Sequence, residues 1–227
     1  MDEKFPDEFV TWRHNTPIGV KVDEVFGMDS KSGKVWQEMA RQIFCEQGEP
    51  NYRIISHFAD GAPFIEGYPG RISLTHTDHF FAVAWLPKTP EVSLEVFTPR
   101  AAMGIDAEFL HRQQVLKIRQ KFLSDQELEM IPADNVEKNI QAWTAKEALY
   151  KAALSPGLDF RKDIHIVSLP EIEVNLMSKE QSTFGEAELY IPEVNEKVKY
   201  PMRLYSYISY SCCVTIAVSP KSAKFGK

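Results

Sequence analysis

Apolar residues along this chain recur with two different periods, and the period changes several times from one end to the other. Val35, Trp36, Met39, Ala40, Ile43 and Phe44 repeat at helical spacing and predict an amphipathic helix that stops near Gly48. Residues 53–58, 72–74 and 80–86 read as strands, with Asp60-Gly61 as a turn after the first. Residues 87–100 set three prolines around the alternating run VSLEVF and read as a connecting hairpin arm. Farther on, 109–123 reads as a long helix. Ser124 and Glu127 have capping-box spacing, which starts a short helix that Pro132 stops. Another helix covers 135–154 and ends at Pro156-Gly157. Beyond it the pattern is rich in strands, at 164–168, 172–177, 187–191, 203–209 and 212–218.

Strands outnumber helices and do not alternate with them. The expected class is therefore α+β, with helices packed on antiparallel sheets, and not a doubly wound parallel fold. The chain also divides in two. IGVKVD at 18–23 and MGIDAE at 103–108 both read as a short strand opening with Gly. Each is followed by a helical stretch and later by a long apolar strand, 80–86 in one case and 212–218 in the other. Two related α/β halves, 1–102 and 103–227, are expected.

Composition narrows the class. With 44% hydrophobic and 26% charged residues, the 227-residue chain has an ordinary globular make-up. The longest apolar runs, FFAVAWL and CCVTIAV, fall far short of the roughly 20 residues a membrane helix needs. The opening MDEKFPDEF is acidic where a signal peptide is basic and then apolar. Cys45, Cys212 and Cys213 offer neither a disulfide framework nor a CxxC spacing. The expectation is a cytoplasmic protein with no membrane partner. A net charge of −6, with no run of Lys or Arg longer than two, argues against nucleic acid. A phosphate-bearing small ligand stays open, because its site needs only a few local cations.

Some charged residues break the pattern. Side chains alternate on a strand, so Asp106 and Glu108 project together while Ile105 and Ala107 face a core. Two neighbouring carboxylates repel, and water, a proton or a cation relieves them. Taken alone, the pair fits a solvent-facing strand end. The helix over 135–154 changes that. At about 100° per residue, Val136, Ile140, Trp143, Tyr150 and Leu154 fall within about 60° of Glu147. Glu147 thus stands inside the apolar stripe, with Lys151 about 40° away on the same side. Ordinary Glu–Lys pairs at i,i+4 belong on the polar face. A carboxylate aimed at the core needs a cation or hydrogen bonds to offset its desolvation. Three carboxylates and one ammonium so aimed suit a Mg²⁺–diphosphate site, since Mg²⁺ takes oxygen ligands. The six histidines are scattered and form no zinc cluster. Neither GxGxxG nor GxxxxGK[ST] occurs.

MGIDAE at 103–108 and WTAKEALYK at 143–151 resemble the paired signatures of the 4'-phosphopantetheinyl transferase superfamily, G-[IV]-D and W-[ST]-x-K-E-[SA]-x-x-K. FLSDQE at 122–127 resembles its F-[FL]-S-x-x-E stretch, GAP at 61–63 its G-K-P turn, and SLTHT at 73–77 its [SN]-[IL]-S-H-S strand end. Residues 210–218 resemble its last strand, so the likeness runs in order from about residue 55 to residue 218. Length and two-half organisation resemble the surfactin-synthetase type, a monomer whose two pseudo-twofold halves enclose the active site. The resemblance implies coenzyme A in that cleft, with its 3'-phosphate and adenine on the side of 1–102. It implies Mg²⁺ on Asp106, Glu108 and Glu147, and a serine of an apo acyl or peptidyl carrier protein that attacks the β-phosphate and releases 3',5'-ADP. Glu147 is then also the candidate base, and Lys151 binds the coenzyme and neutralises the leaving phosphate. Lys146, about 100° around the helix from Glu147, either reaches the same phosphates from the edge or is solvated. His76, with Thr75 beside it, contacts the 3'-phosphate.

The chain departs from the family's pattern in three places. Thr75 stands where Ser is usual, Ala62 where G-K-P has lysine, and residues 34–45 offer only Lys34 and Arg41 in place of an arginine-rich helix. By sequence, Arg53, Arg71 and Arg41 are the nearest basic residues that could complete a 3'-phosphate clamp, with Arg53 ranked first. Competing readings are a non-catalytic homologue that binds coenzyme A or a carrier protein, and a Mg²⁺-dependent phosphohydrolase.

Overall fold

A computed structural model describes residues 10–26, 55–57, 61–65, 71–86, 103–174 and 183–220. The helix expected at 35–44, the arm expected at 87–100, and Arg41 and Arg53 lie outside the described residues.

Residues from the first part of the chain build a four-stranded antiparallel sheet. Its strands are β1 (Val10–Asn15), β2 (Lys21–Phe26), β5 (Ile72–Thr77) and β6 (Phe80–Trp85), in the order β1-β2-β6-β5. Two short strands, β3 (Ile55–His57) and β4 (Pro63–Ile65), pair with each other. The second sheet uses β7 (Met103–Phe109), β8 (Ile164–Ser168), β9 (Ile172–Glu173), β10 (Gly185–Pro192), β11 (Lys197–Ser209) and β12 (Cys212–Val218). Its order is β7-β12-β11-β10-β8, antiparallel throughout, with β9 lying parallel to β11. The described helices are α1 (Gln114–Phe122), α2 (Asp125–Met130) and α3 (Val136–Ala153). The expected mixed class with antiparallel sheets is what forms. No described helix is long and apolar enough to cross a membrane.

Alternation along β7 and β12 separates two cores. Ile105, Ala107, Val214 and Ile216 pack with Val22, Phe80, Ala82 and Ala84 of the four-stranded sheet. Cys213 and Ala217 point the other way, against Ala145, Ala148, Leu149 and Ala152 of α3. The six-stranded sheet is thus covered on both faces, which is why CCVTIAV is buried along its whole length and shows no polar alternation.

Two expectations shift at the boundaries. The long helix expected at 109–123 begins only at Gln114. Phe109 is held extended by pairing with Cys212, and the Leu110 N–H donates to the Ser211 carbonyl. The strand expected at 18–23 starts at Lys21, because Thr16 to Gly19 form a turn in which Gly19 takes φ 75°. That turn joins β2 to β1, a strand without a hydrophobic signature. Cross-strand pairs hold it: Arg13 binds Asp23, and His14 Nε2 lies 3.0 Å from Glu24. Glu24 is fully buried and also accepts from the hydroxyls of Tyr207 and Ser209 on β11, each at 2.6 Å, so it ties the two sheets together.

The apolar stripe expected on α3 is corrected as well. Ile140 is buried as expected, but the rest of the core face is Ala142, Ala145, Ala148, Leu149, Ala152 and Ala153, while Trp143, Glu147 and Tyr150 are only half-buried. Small residues do the packing because α3 lies almost on the backbone of β7. A Cβ at Gly104 would collide with the Ala148 carbonyl oxygen and sit 2.7 Å from the Ala152 nitrogen. Gly104→Ala is therefore expected to cost about 3 kcal/mol of stability, the upper range for overpacking a tight core. Urea unfolding of the variant beside the wild type measures it.

Candidate active site

Where β5 passes the outer edge of β7, the two strands meet through side chains. The hydroxyl of Ser73 accepts the Ile105 N–H at 3.1 Å, and that of Thr75 accepts the Ala107 N–H at 3.0 Å. The same Thr75 hydroxyl donates to Asp106 Oδ1 at 3.1 Å. Lys151 reaches across from α3. Its ammonium donates to Asp106 Oδ1 at 2.6 Å, to the Ile105 carbonyl at 3.1 Å and to the Leu74 carbonyl at 3.2 Å. Three expected site residues, Thr75, Asp106 and Lys151, are thus in direct contact, with Asp106 only 9% exposed.

A cleft of about 460 Å³ opens over this junction. Among the described residues, His57, Arg71, His76 and Lys151 contribute basic groups to its wall, against the single carboxylate of Asp106. Ala62 lines it too. A second hollow of about 420 Å³ begins on the other side of His76 and is lined by Glu108, His111 and Arg112. His76 is exposed on the lip between them.

Glu147 lies one helical turn before Lys151 and is half-buried. Burial pushes its carboxyl above the ordinary glutamate value of 4.5; Asp106 pushes it the same way and Lys151 opposes both. Asp106 and Glu147 thus share a region in which their charges are felt. Glu108 shares the helix-side face of β7 with Asp106 but is engaged elsewhere. Its Oε1 accepts the Phe109 N–H at 2.9 Å, and its Oε2 pairs with Arg112. Among the described residues, no three His, Cys, Asp or Glu side chains stand together as a metal cluster. Asp106, Glu108 and Glu147 are therefore not assembled as one set of ligands. Hard oxygen donors from Asp106 and Glu147 still fit Mg²⁺, which commonly takes one or two carboxylates and completes its shell with phosphates and waters.

Lys146 departs from both of its expected settings, at the phosphates or in water. It is fully buried and points into the helical layer. There its ammonium binds Glu127 at 2.7 Å and the carbonyls of Phe160 and Ile164 at 2.7 and 2.5 Å. Burial pulls it below the ordinary lysine value, while Glu127 holds it up. Glu127 in turn accepts the backbone N–H groups of Ser124 and Ile166, each at 2.7 Å. The capping box was legible, but its glutamate is also the counter-ion of a buried lysine. The i,i+1 pair Lys146-Glu147 gives no warning of which member turns inward. His57 has no signal in the sequence either; only the β3–β4 pairing, His57 opposite Pro63, brings it to the cleft.

Residues 102–199 match the 4'-phosphopantetheinyl transferase superfamily. The matched segment holds Asp106, Glu108, Lys146, Glu147 and Lys151, and leaves Thr75 and His76 outside. No curated protein matches the chain.

Two expectations about charge follow. Lys146→Met strands a buried carboxylate and should cost about 3–5 kcal/mol in urea unfolding. Glu147→Gln should instead stabilise the protein at pH 7. With its folded value raised, the wild-type carboxyl loses stability as pH climbs from the ordinary 4.5 through the folded value. The advantage of the glutamine variant should accordingly vanish below about pH 4.5, where both side chains are neutral. Unfolding midpoints across pH check this.

Proposed function

We propose that this protein transfers the 4'-phosphopantetheine group of coenzyme A to a serine of an apo acyl or peptidyl carrier protein and releases 3',5'-ADP. One observation carries the reading: Asp106 and Lys151 pair on the wall of a cleft whose other described charged groups are basic, with Glu147 one helical turn before Lys151, and all three lie inside the matched segment. A diphosphate needs such a setting, with cations to receive it and carboxylates to hold a metal against it.

Residues 1–102 and 103–227 are read as the two halves of the surfactin-synthetase type, a cytoplasmic monomer. In support, the runs β2-β6-β5 and β7-β12-β11 share one order, an earlier strand beside the last strand of its sheet and that last strand beside the one before it, with β1 added outside β2 in the first sheet. His57, Arg71, His76 and Thr75 then face the coenzyme's phosphates from the first half. Asp106 and Glu147 would hold Mg²⁺, which when bound supplies positive charge to the diphosphate. Glu147 takes the proton of the serine hydroxyl, and its raised proton affinity suits a base. The serine oxygen bonds to the β-phosphorus, and the bond from that phosphorus to the 3',5'-ADP oxygen breaks with its electron pair leaving on ADP. Lys151 stabilises the negative charge that grows there. Its three protons already rest on Asp106, Ile105 and Leu74, so it acts as a fixed charge at the wall.

Incubation with coenzyme A, Mg²⁺ and an apo carrier, followed by weighing the carrier, tests the proposal. The carrier should gain one phosphopantetheine. Asp106→Asn and Glu147→Gln should each lower the rate by about 10²-fold or more. A carrier of unchanged mass with intact coenzyme A would leave a binding homologue, and phosphate release without a carrier would mean a phosphohydrolase.

A further inference from the structure

Glu108 is 7% exposed, yet it is the one carboxylate of the expected three whose two oxygens are both occupied by groups of this chain. The Phe109 N–H that holds Oε1 is part of the backbone and cannot leave. The Arg112 guanidinium that holds Oε2 sits on a side chain 59% exposed at the mouth of the second hollow, so it can swing into water at little cost. A buried carboxylate needs a counter-charge, and removing it leaves an uncompensated ion. Asp106 has Lys151 for this purpose, and that lysine is anchored by two carbonyls as well. Arg112 has no comparable anchor among its described hydrogen bonds.

We propose that Arg112 is the exchangeable counter-ion of Glu108 and sets how tightly the site binds a divalent cation. With Arg112 in place, Glu108 is neutralised and does not cluster with Asp106 and Glu147. A cation entering between those two carboxylates draws Glu108 in, and Arg112 gives up Oε2 and moves to solvent. Two positive charges compete for one oxygen, so the cation must displace the arginine to gain its third ligand. Arg112 is a positioning residue that acts through Glu108. The inference rests on the reading of Asp106 and Glu147 as cation ligands, and it adds a competing residue outside that set.

Mn²⁺ alone serves as the probe, titrated into the full-length protein and followed by electron paramagnetic resonance. Arg112→Gln should bind Mn²⁺ about tenfold more tightly than the wild type, the scale of one charge-assisted hydrogen bond. Arg112→Lys, which keeps the charge, should stay near the wild-type affinity. Adding Glu108→Gln to Arg112→Gln should erase the gain. Equal or weaker Mn²⁺ binding by Arg112→Gln overturns the proposal. If in that case wild-type binding is still lost in Asp106→Asn, the cation site itself stands and only the role of Arg112 falls. If neither the wild type nor Arg112→Gln binds Mn²⁺, both ideas fall together. Urea midpoints of each variant separate a loss of binding from a loss of fold.

Discussion

A single ammonium group fastens three elements at the edge between the two sheets. Lys151 leaves α3, takes the Leu74 carbonyl from β5, the Ile105 carbonyl from β7, and the Asp106 carboxylate. Two neighbouring hydroxyls, those of Ser73 and Thr75, accept the outward N–H groups of Ile105 and Ala107. The exposed edge of a strand is a liability because its backbone groups seek partners. Here an edge is closed by side chains, and those side chains lie on the wall of a cleft. The polar groups that satisfy the fold and those that face the ligand space are the same atoms.

Two Glu–Lys combinations on α3 and its surroundings show how burial sorts structure from chemistry. Lys146 and Glu127 are both almost sealed from water, and every strong donor or acceptor on them has a partner inside the protein. Such a network is rigid and has nothing left to offer a ligand. Glu147 and Lys151, only half-buried, keep a carboxylate whose proton affinity is raised by burial and by Asp106. A perturbed carboxylate beside a cleft is the more reactive arrangement. Adjacent positions on one helix thus serve opposite purposes, and the difference lies in what the neighbouring layers bring to them.

Legibility in the sequence followed the range of the interactions. The capping box at Ser124 and Glu127, the strands expected at 72–74, 80–86 and 212–218, and the shared face of Asp106 and Glu108 all depend on neighbours within a turn or two, and all could be read. Helix α3 was found, but its buried face was misjudged. Large apolar residues suggested one stripe, whereas the close approach to Gly104 calls for alanine at 148 and 152, and Trp143 and Tyr150 stay half-buried. β1 was missed because Arg13 and His14 look like surface residues until Asp23 and Glu24 are placed opposite them. Lys146 was read as a ligand group because its partner, Glu127, is distant in sequence and their meeting depends on how α2 and β8 close over α3.

The contact between Gly104 and α3 also sets which changes of chain length this protein can absorb. Ala148 and Lys151 lie within one helical turn, so the first indexes the helix against β7 while the second delivers a charge to Asp106. One residue inserted between them would turn Lys151 by about 100° and carry it off the seam. An insertion in the exposed turn before Asn135 would leave index and charge in step, because everything from Val136 onward moves as one helix. The spacing from Gly104's contact to the lysine therefore behaves as a fixed ruler, whereas the length of that turn does not enter it.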